Sequence, residues 1–392
     1  MMAEAIRLKL WTQEKYTSGV ALPFGQAWMQ DNCLLSWGKG DVDVEKDIVA
    51  EINALFSSYS KLISDFTLCV VCNTKNVNTQ SDIMSTEYFS ESEFEEIVSL
   101  FSTLDMNMEF FLNEDDFIRF IISRDSLDHF VVYNAAQSGR GAGRKSLIPA
   151  FCNLHKIPCT GSNAYVVSLC RHKYHVNKLL LAGSFPVPST WLYINNIQDK
   201  DIPNENEKII LKPIYESASI GIDNDSVINY NENEETLAII RKKQQNLKQP
   251  IMLQQFINGF EVEVPVISYN GIVIGFPPVG ISLDDTRLMG DQILNYELVY
   301  FDRYQFFDFT TISELSEQLI QNAKKAALYL GIEGLGRIDF RINSKEEKFY
   351  ITDVSTNPHF VTHSAVHFTF QQSGLCDSDI VKAIICCALS KL

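Results

Sequence analysis

Residues 334–358 open with Gly334-Leu335-Gly336-Arg337-Ile338-Asp339-Phe340-Arg341 and close with Phe349-Tyr350-Ile351-Thr352-Asp353-Val354-Ser355-Thr356-Asn357-Pro358. Ile338 and Phe340 alternate with Arg337, Asp339 and Arg341, and this period of two predicts a strand with one polar and one apolar face. Phe349, Tyr350 and Ile351 lead into Asp353 on a second strand, and the polar run Asn343-Ser344-Lys345-Glu346-Glu347 between them suits a hairpin turn. Arg337, Asp339 and Asp353 are thereby expected on neighbouring strands. Mg²⁺ favours one or two carboxylates together with phosphate oxygens over an all-protein cage. An arginine beside them can stabilise charge on a transferring phosphoryl group or an oxyanion. The competing reading is a polar strand face with a structural ion pair.

Working outward, Lys212 ends a strand, Lys208-Ile209-Ile210-Leu211-Lys212-Pro213, and the small-residue loop Glu216-Ser217-Ala218-Ser219-Ile220-Gly221 follows. A strand-end lysine supplies charge and such a loop supplies backbone N–H groups, a combination that suits a phosphate chain. Lys173 lies upstream at a helix start. Downstream, Met252–Ile257 reads as a strand, followed by Gly259-Phe260-Glu261-Val262-Glu263-Val264, where at least one glutamate should face a cleft or solvent.

Further towards the N-terminus, Ser92–Phe101 reads as a capped amphipathic helix, and Met108–Phe111 and His129–Tyr133 read as strands. Helices alternating with strands predict an open α/β sheet. The glycine-rich run Gly139-Arg140-Gly141-Ala142-Gly143-Arg144-Lys145-Ser146 nearly matches a phosphate-binding loop, but Arg144 stands where a second glycine is needed. An anion site at the following helix start, near Leu147, is the weaker form of that expectation. Residues 195–208 are polar and read as a loop, and a helix is expected through Glu234–Ile240. The first sixty residues carry no assignable pattern.

A chain of 392 residues exceeds one ordinary core, so two or three domains are expected. The net charge of −16 argues against nucleic acid or an anionic membrane as the main partner. Met1–Lys9 lacks the apolar core of a signal peptide, and no apolar run is long enough to span a bilayer. The nine cysteines are therefore expected to be reduced in a cytoplasm. Cys69-x-x-Cys72 lies in an apolar strand-like run and Cys386-Cys387 in a helical one, so all four read as buried small hydrophobes. His359, His363 and His367 are spaced by four, but Pro358 and Phe360-Val361-Thr362 break a continuous helix, so substrate-pocket or structural roles are expected before a metal site.

Taken in order, these segments resemble the ATP-grasp superfamily and, within it, the D-alanine–D-alanine ligase group. The resemblance rests on Ile157-Pro158-Cys159-Thr160-Gly161-Ser162, Lys173, Lys212-Pro213 with Ser219-Ile220-Gly221, Gly259-x-Glu261, Gly334-x-Gly336-Arg337-Ile338-Asp339, and Asp353-x-Ser355-Thr356-x-Pro358. It covers about two thirds of the chain, from about Tyr133 to Leu389. It implies α/β and α+β architecture: an ATP-grasp fold preceded by an open α/β, Rossmann-like pre-ATP-grasp domain. The implied division is 1–165 for that domain, 166–256 for a small lid and 257–392 for the domain carrying the metal strands.

The resemblance also implies roles. Lys173 and Lys212 would hold ATP phosphates, and the loop with Glu216 and Ser219 would close over them. Gln254, Gln255, Phe256 and Ile257 would read adenine, and Glu261 would hold ribose. Asp339, Asp353 and Ser355 would bind Mg²⁺, expected as two ions, with Mn²⁺ able to substitute. Arg337 would stabilise the acyl-phosphate and tetrahedral intermediate, with Ser219 and His359 at the reacting centre. Ser364 would contact the carboxylate of the second amino acid; beyond the resemblance, His359 and Tyr300 are candidate contacts to amino-acid or small-peptide substrates, and Asn134, Gln137, Arg140 and Arg144 could recognise a different carboxylate or peptide. A homodimer is the family's habit.

Four departures stand out. The family's Glu-x-Asn metal motif reads Asp353-x-Ser355, and the glycine after its proline is His359. The loop lysine near Tyr300 is Val299, so either Arg303 replaces it or the charge is missing. The N-terminal signature for the first D-alanine is not recognisable. The leading expectation is an ATP-dependent amide-bond-forming ligase in specialised biosynthesis. A nucleotide-binding protein that has lost catalysis, and a phosphotransferase on the same fold, are the alternatives.

Overall fold

The computed structural model describes residues 44–75, 87–194, 197–198 and 202–392, without side-chain detail at 44–47 and 197–198. The sequence readings on Met1–Lys9 and on residues 195–196 and 199–201 lie outside the described residues. Among the described residues the strands form three sheets.

The first sheet is parallel, in the order β2 (Asn107–Phe111), β1 (Thr67–Cys72), β3 (Phe130–Ala135). Helices Glu91–Phe101 and Glu114–Ile122 connect its strands, as parallel pairing requires. The first begins with a reciprocal cap, in which Ser90 Oγ accepts from Glu93 N and a Glu93 oxygen accepts from Ser90 N. Cys69 and Cys72 are fully buried on opposite faces of β1, in two different apolar clusters, so they do not form a pair. Burial pushes both thiols up to about 12.

The second sheet is antiparallel, in the order β5 (Ile197–Gln198), β4 (Thr190–Ile194), β8 (Ile251–Gln255), β6 (Lys208–Pro213), β7 (Val227–Asn229). Helix Glu234–Leu247 covers one face through Leu237 and Ile240. The expected loop at 195–208 is interrupted by β5, and Lys212 lies near the end of β6 as expected.

The third sheet runs β12 (Gln305–Asp308), β11 (Val279–Ser282), β9 (Phe260–Tyr269), β13 (Gly334–Asn343), β14 (Lys348–Ser355), with β10 (Ile272–Gly275) paired to β9. The β13–β14 hairpin turns at Asn343, whose Oδ1 accepts from Lys345 N and Glu346 N. Ile338 and Phe340 are fully buried in an apolar cluster shared with helix Ser316–Leu330, which leaves the Arg337–Asp339 face for the cleft. Gly259 is dictated by contact. A Cβ there would stand 1.7 Å from the Ile342 carbonyl oxygen, and its φ of +150° lies outside ordinary L-residue space. Only glycine lets the start of β9 lie against the end of β13. Helix Asp377–Leu389 is apolar on most sides because it is buried in a cluster shared with the first and third sheets. No helix among the described residues is long and apolar enough to cross a membrane.

Candidate active site

Strand register sets a row of charge across the third sheet. Asp339 on β13 lies opposite Glu263 on β9 and opposite Asp353 on β14. Like charges directly opposite on paired strands repel, so the row needs cations. Arg337 supplies one: Nε donates to Asp339 Oδ1 at 2.7 Å and Nη2 to Oδ2 at 2.8 Å, and Nη2 also lies 2.9 Å from Glu263 Oε1. Lys173, the first residue of helix Lys173–Ala182, donates to Asp353 Oδ2. Register shifts between Asp339 and Phe340, because their partners on β14 are Asp353 and Ile351, and Thr352 is the bulged residue. Bulges re-aim side chains. Here the Thr352 carbonyl accepts from Lys212 Nζ at 3.4 Å, which draws β6 of the second sheet to the row.

The electrostatics follow from burial and these partners. Desolvation lowers Lys212 to about 8, against the pull of Asp353. Burial alone would raise Asp353, but Lys173 and Lys212 bring its carboxyl below the usual range. Glu263 has only Arg337 to offset its burial and is pushed up to about 8. No cluster of three or more His, Cys, Asp or Glu with metal-binding geometry occurs among the described residues. The donor set still fits Mg²⁺, whose sites need one or two carboxylates when phosphate oxygens complete the shell. Asp339 and Asp353 face one another in register, and Ser355 stands opposite Arg337 on β14.

The row floors a cleft of about 800 Å³. At one end Glu261 holds Arg341 at 3.0 Å, and the Arg341 guanidinium lies 4.9 Å from the Phe256 ring centre. Gln254, Gln255, Phe256 and Ile257 line the same end. Over the middle, Ala218 and Ser219 turn the loop with φ of 49° and 54°. Ser219 Oγ donates to the Leu294 carbonyl at 2.7 Å, and Tyr296 N donates to the Ile222 carbonyl at 2.9 Å. The loop is thus docked on the segment around residue 295. Glu216 is buried beneath it, accepting from Gln249 at 2.8 Å and facing Arg144 at 3.6 Å and Arg171 at 3.7 Å.

The far end is built by residues 88–96, 299–306 and 357–364. His359 stacks on Phe89 with ring centres 5.6 Å apart, and its Nε2 lies 3.6 Å from Glu93 Oε1. Burial outweighs that carboxylate and lowers the His359 pKa, which favours the neutral ring. Ser364 caps helix Ala365–Gln372, where its Oγ accepts from His367 N at 3.1 Å. Tyr300 is half exposed at the mouth, with Lys75 Nζ 5.7 Å from its ring centre. Arg303 is exposed, 3.7 Å from Glu297, and does not line the cleft beside Val299. His363 pairs with Asp302 and His367 with Asp377, so the three histidines share no centre.

Two expected substrate contacts fall outside the lining. Asn134 is buried, and its Oδ1 accepts from Ala136 N. Arg144 is buried and donates from Nε to the Gln137 carbonyl at 2.8 Å. Of their glycine-rich loop, Gln137 and Lys145 line the cleft instead.

A family model described as D-ala D-ala ligase C-terminus matches residues 198–386. The D-alanine–D-alanine ligase of Methylibium petroleiphilum is 24% identical over 243 residues, covering 59% of this chain and 72% of that one. The enzyme of the same name from Carboxydothermus hydrogenoformans is 25% identical over 252 residues, covering 62% and 77%. Among solved structures, the D-alanine–D-alanine ligase of Bacillus anthracis complexed with ATP superposes with a TM-score of 0.61 at 15% identity, covering 83% of this chain and 97% of that one. The D-Ala:D-Ser ligase of Enterococcus faecalis gives 0.57 at 15%, covering 82% and 99%.

The chain is thus similar to the D-alanine–D-alanine ligases, by the match over residues 198–386 and by fold.

Several cleft residues carry no motif of their own. Glu87 accepts from Arg171 Nη2 at 2.6 Å and from Ser217 N at 3.0 Å, which ties the 216–221 loop to the connection after β1. Lys145 and Arg171 hold the Glu87 carboxyl low despite its burial, as Lys173 and Lys212 do for Asp353. Nothing in the local pattern around Glu87 announces this. Glu263 and Arg341 were legible, since each alternates in step with a chosen neighbour, Glu261 and Asp339 respectively.

Proposed function

We propose that the protein is an ATP- and Mg²⁺-dependent carboxylate–amine ligase that joins an amino acid or small peptide to an amine, with release of ADP and phosphate. The observation that carries this reading is the Arg337–Asp339–Asp353 row with Lys173 and Lys212 beside it, under a docked small-residue loop. The named ligase relatives support it.

In this reading ATP lies between the second and third sheets, with adenine at Gln254–Ile257 and ribose at Glu261. Lys173 and Lys212 neutralise its phosphates, and the 216–221 loop covers them. Asp339, Asp353 and Ser355 would hold Mg²⁺, which supplies charge neutralisation at the phosphates. A substrate carboxylate oxygen attacks the γ-phosphorus, ADP leaves, and an acyl-phosphate forms. An amine then attacks the carbonyl carbon, the oxyanion collapses, the C–O bond to phosphate breaks, and the amine loses a proton. Arg337 faces the charge that develops in both steps, where a fixed donor acts most strongly. His359, Ser364 and Tyr300 would shape the substrate end, with Ser219 closing over the reacting centre. Asn134 and Arg144 would act from behind the lining.

The division at 1–165, 166–256 and 257–392 belongs to the same proposal and is supported by the three sheets. So do a cytoplasmic location, a homodimer and a role in specialised biosynthesis; His359 and Val299, which depart from the ligase pattern, support the last. Incubation with ATP, Mg²⁺ and a panel of amino acids and dipeptides, read by mass spectrometry, tests the proposal. The expected result is substrate-dependent ADP and phosphate, with a product lighter than its two precursors by one water. ATP binding without turnover on any panel member would favour a protein that has lost catalysis, the reading motivated by Val299 and Ser355.

A further inference from the structure

Glu263 is 7% exposed, lines the cleft and points at the reacting row, yet the mechanism above gives it no task. Its Oε1 holds Arg337 Nη2 at 2.9 Å, while its Oε2 is buried without a hydrogen-bond partner. A buried carboxyl oxygen left unpaired is costly, and such a group calls for an explanation, a catalytic role or a missing ion among them. Arg337 meanwhile uses two donors on both oxygens of Asp339. A divalent cation at Asp339 competes with the guanidinium for the same two oxygens, because each already accepts one N–H. An N–H displaced in that competition needs another acceptor, because the site is buried. Glu263 already holds the same guanidinium through Oε1, from one strand away on the side opposite Asp353, and its Oε2 is the acceptor left over.

We propose that Glu263 is a positioning residue that takes Arg337 from Asp339 when a divalent cation arrives, releasing Asp339 to the metal while keeping the guanidinium over the reacting atoms. This deepens the ligase reading and rests on it. Glu263 and Arg337 form a pair that exchanges one bidentate partner for another, and an arginine fork suits that exchange because its donors are fixed in a plane.

The test is Mn²⁺ binding in the presence of a non-hydrolysable ATP analogue, followed by electron paramagnetic resonance on the full chain. Glu263→Gln should weaken Mn²⁺ binding by about tenfold or more, the usual loss when a group that orients a metal ligand is removed. Glu263→Asp, which keeps the carboxyl group, should recover part of the loss and carries the comparison if the glutamine variant does not fold. The decisive arm repeats Glu263→Gln in an Arg337→Ala background. If Glu263 acts through Arg337, its removal there should change Mn²⁺ binding by less than about twofold, as double-mutant logic requires. A full tenfold loss in that background would make Glu263 a direct metal ligand and overturn the proposal. Unchanged Mn²⁺ binding in a folded Glu263→Gln single variant would overturn it too, leaving the ligase reading intact. Wild-type protein that binds no Mn²⁺ with nucleotide would overturn both.

Discussion

The two ends of the cleft are built by different means. Along β9, β13 and β14, backbone register alone puts Glu263, Asp339 and Asp353 in line, and Arg337 two residues from Asp339. At the substrate end, His359 depends on Phe89 and Glu93, and Thr362 N donates to Glu96 Oε1 at 2.7 Å. Those contacts join the N-terminal connection to the chain after β14, and no local period fixes them. A strand row therefore tolerates little change in chemistry, whereas the substrate end can be rewritten by exchanging side chains on loops. The departures from the ligase pattern follow this division in part. Val299, on the short helix Tyr296–Tyr300, and His359 lie at the far end, while Asp353 and Ser355 are the exceptions on a strand.

Breaking the row should cost the most. Arg337→Ala should lower kcat about 10²–10³-fold, as for other lost oxyanion donors, with less change in KM for ATP; a steady-state comparison at saturating ATP checks this. An equal loss confined to KM would mean that Arg337 only binds substrate.

The structural counterpart is Gly259→Ala, which drives a methyl into the Ile342 carbonyl. Destabilisation of about 3 kcal/mol is expected, the upper part of the usual range for overpacking. Urea unfolding reads it, and a change below the scatter of surface substitutions would show that β9 and β13 part more easily than their register implies.

At the substrate end, His359→Gly should shift selectivity among amine or amino-acid substrates by about tenfold, the scale of reshaping one pocket wall. ATP binding should be left alone. Isothermal titration with a non-hydrolysable ATP analogue, beside kcat/KM on the substrates the panel identifies, separates the two. A matching loss in nucleotide affinity would join the two ends of the cleft and erase the contrast.

Lys212 sharpens the comparison through pH. Its folded value of about 8 lies below the ordinary 10.5 of lysine. Between those values the unfolded chain holds a proton that the folded chain has lost, so this group's contribution makes stability rise with pH across that window. The functional effect has the opposite sign, because the ammonium that would meet phosphate is lost above about pH 8. Affinity for an ATP analogue should therefore fall as pH rises from about 8 towards 10. In Lys212→Arg, which stays charged, that fall should flatten. The smallest effect is expected from Ser219→Ala, which removes one hydrogen bond to Leu294. A loss of about 1 kcal/mol in loop docking would show as a few-fold rise in KM for ATP.

The same contrast explains what was legible in the sequence. Alternation at 337–341 and the polar turn at Asn343 were enough to place β13 and β14, because period two is a local property. The capped helix before Phe101, the strand ending near Lys212 and the helix beginning at Lys173 were equally local. The bulge at Thr352 was not, since it arises from pairing two strands of unequal residue count. Asn134 and Arg144 looked available for substrate because a glycine-rich loop exposes its residues on paper. In the fold they are consumed by neighbours from distant segments, Arg144 by Glu216 and the Gln137 carbonyl, and Asn134 by its own loop and the Asn357 side chain, which donates to its carbonyl. Glu87, which anchors the lid loop, had no pattern of its own and acquires its role only from Arg171 and Ser217.

The central claim is that a substrate carboxylate is activated by transfer of phosphate to one of its oxygens. The most direct measurement uses a carboxylate substrate labelled with heavy oxygen and follows the label during turnover with ATP and amine. The account expects one labelled oxygen to leave in the released inorganic phosphate, because the carboxylate oxygen that attacked phosphorus departs with it. Unlabelled phosphate accompanying amide formation would contradict the acyl-phosphate route.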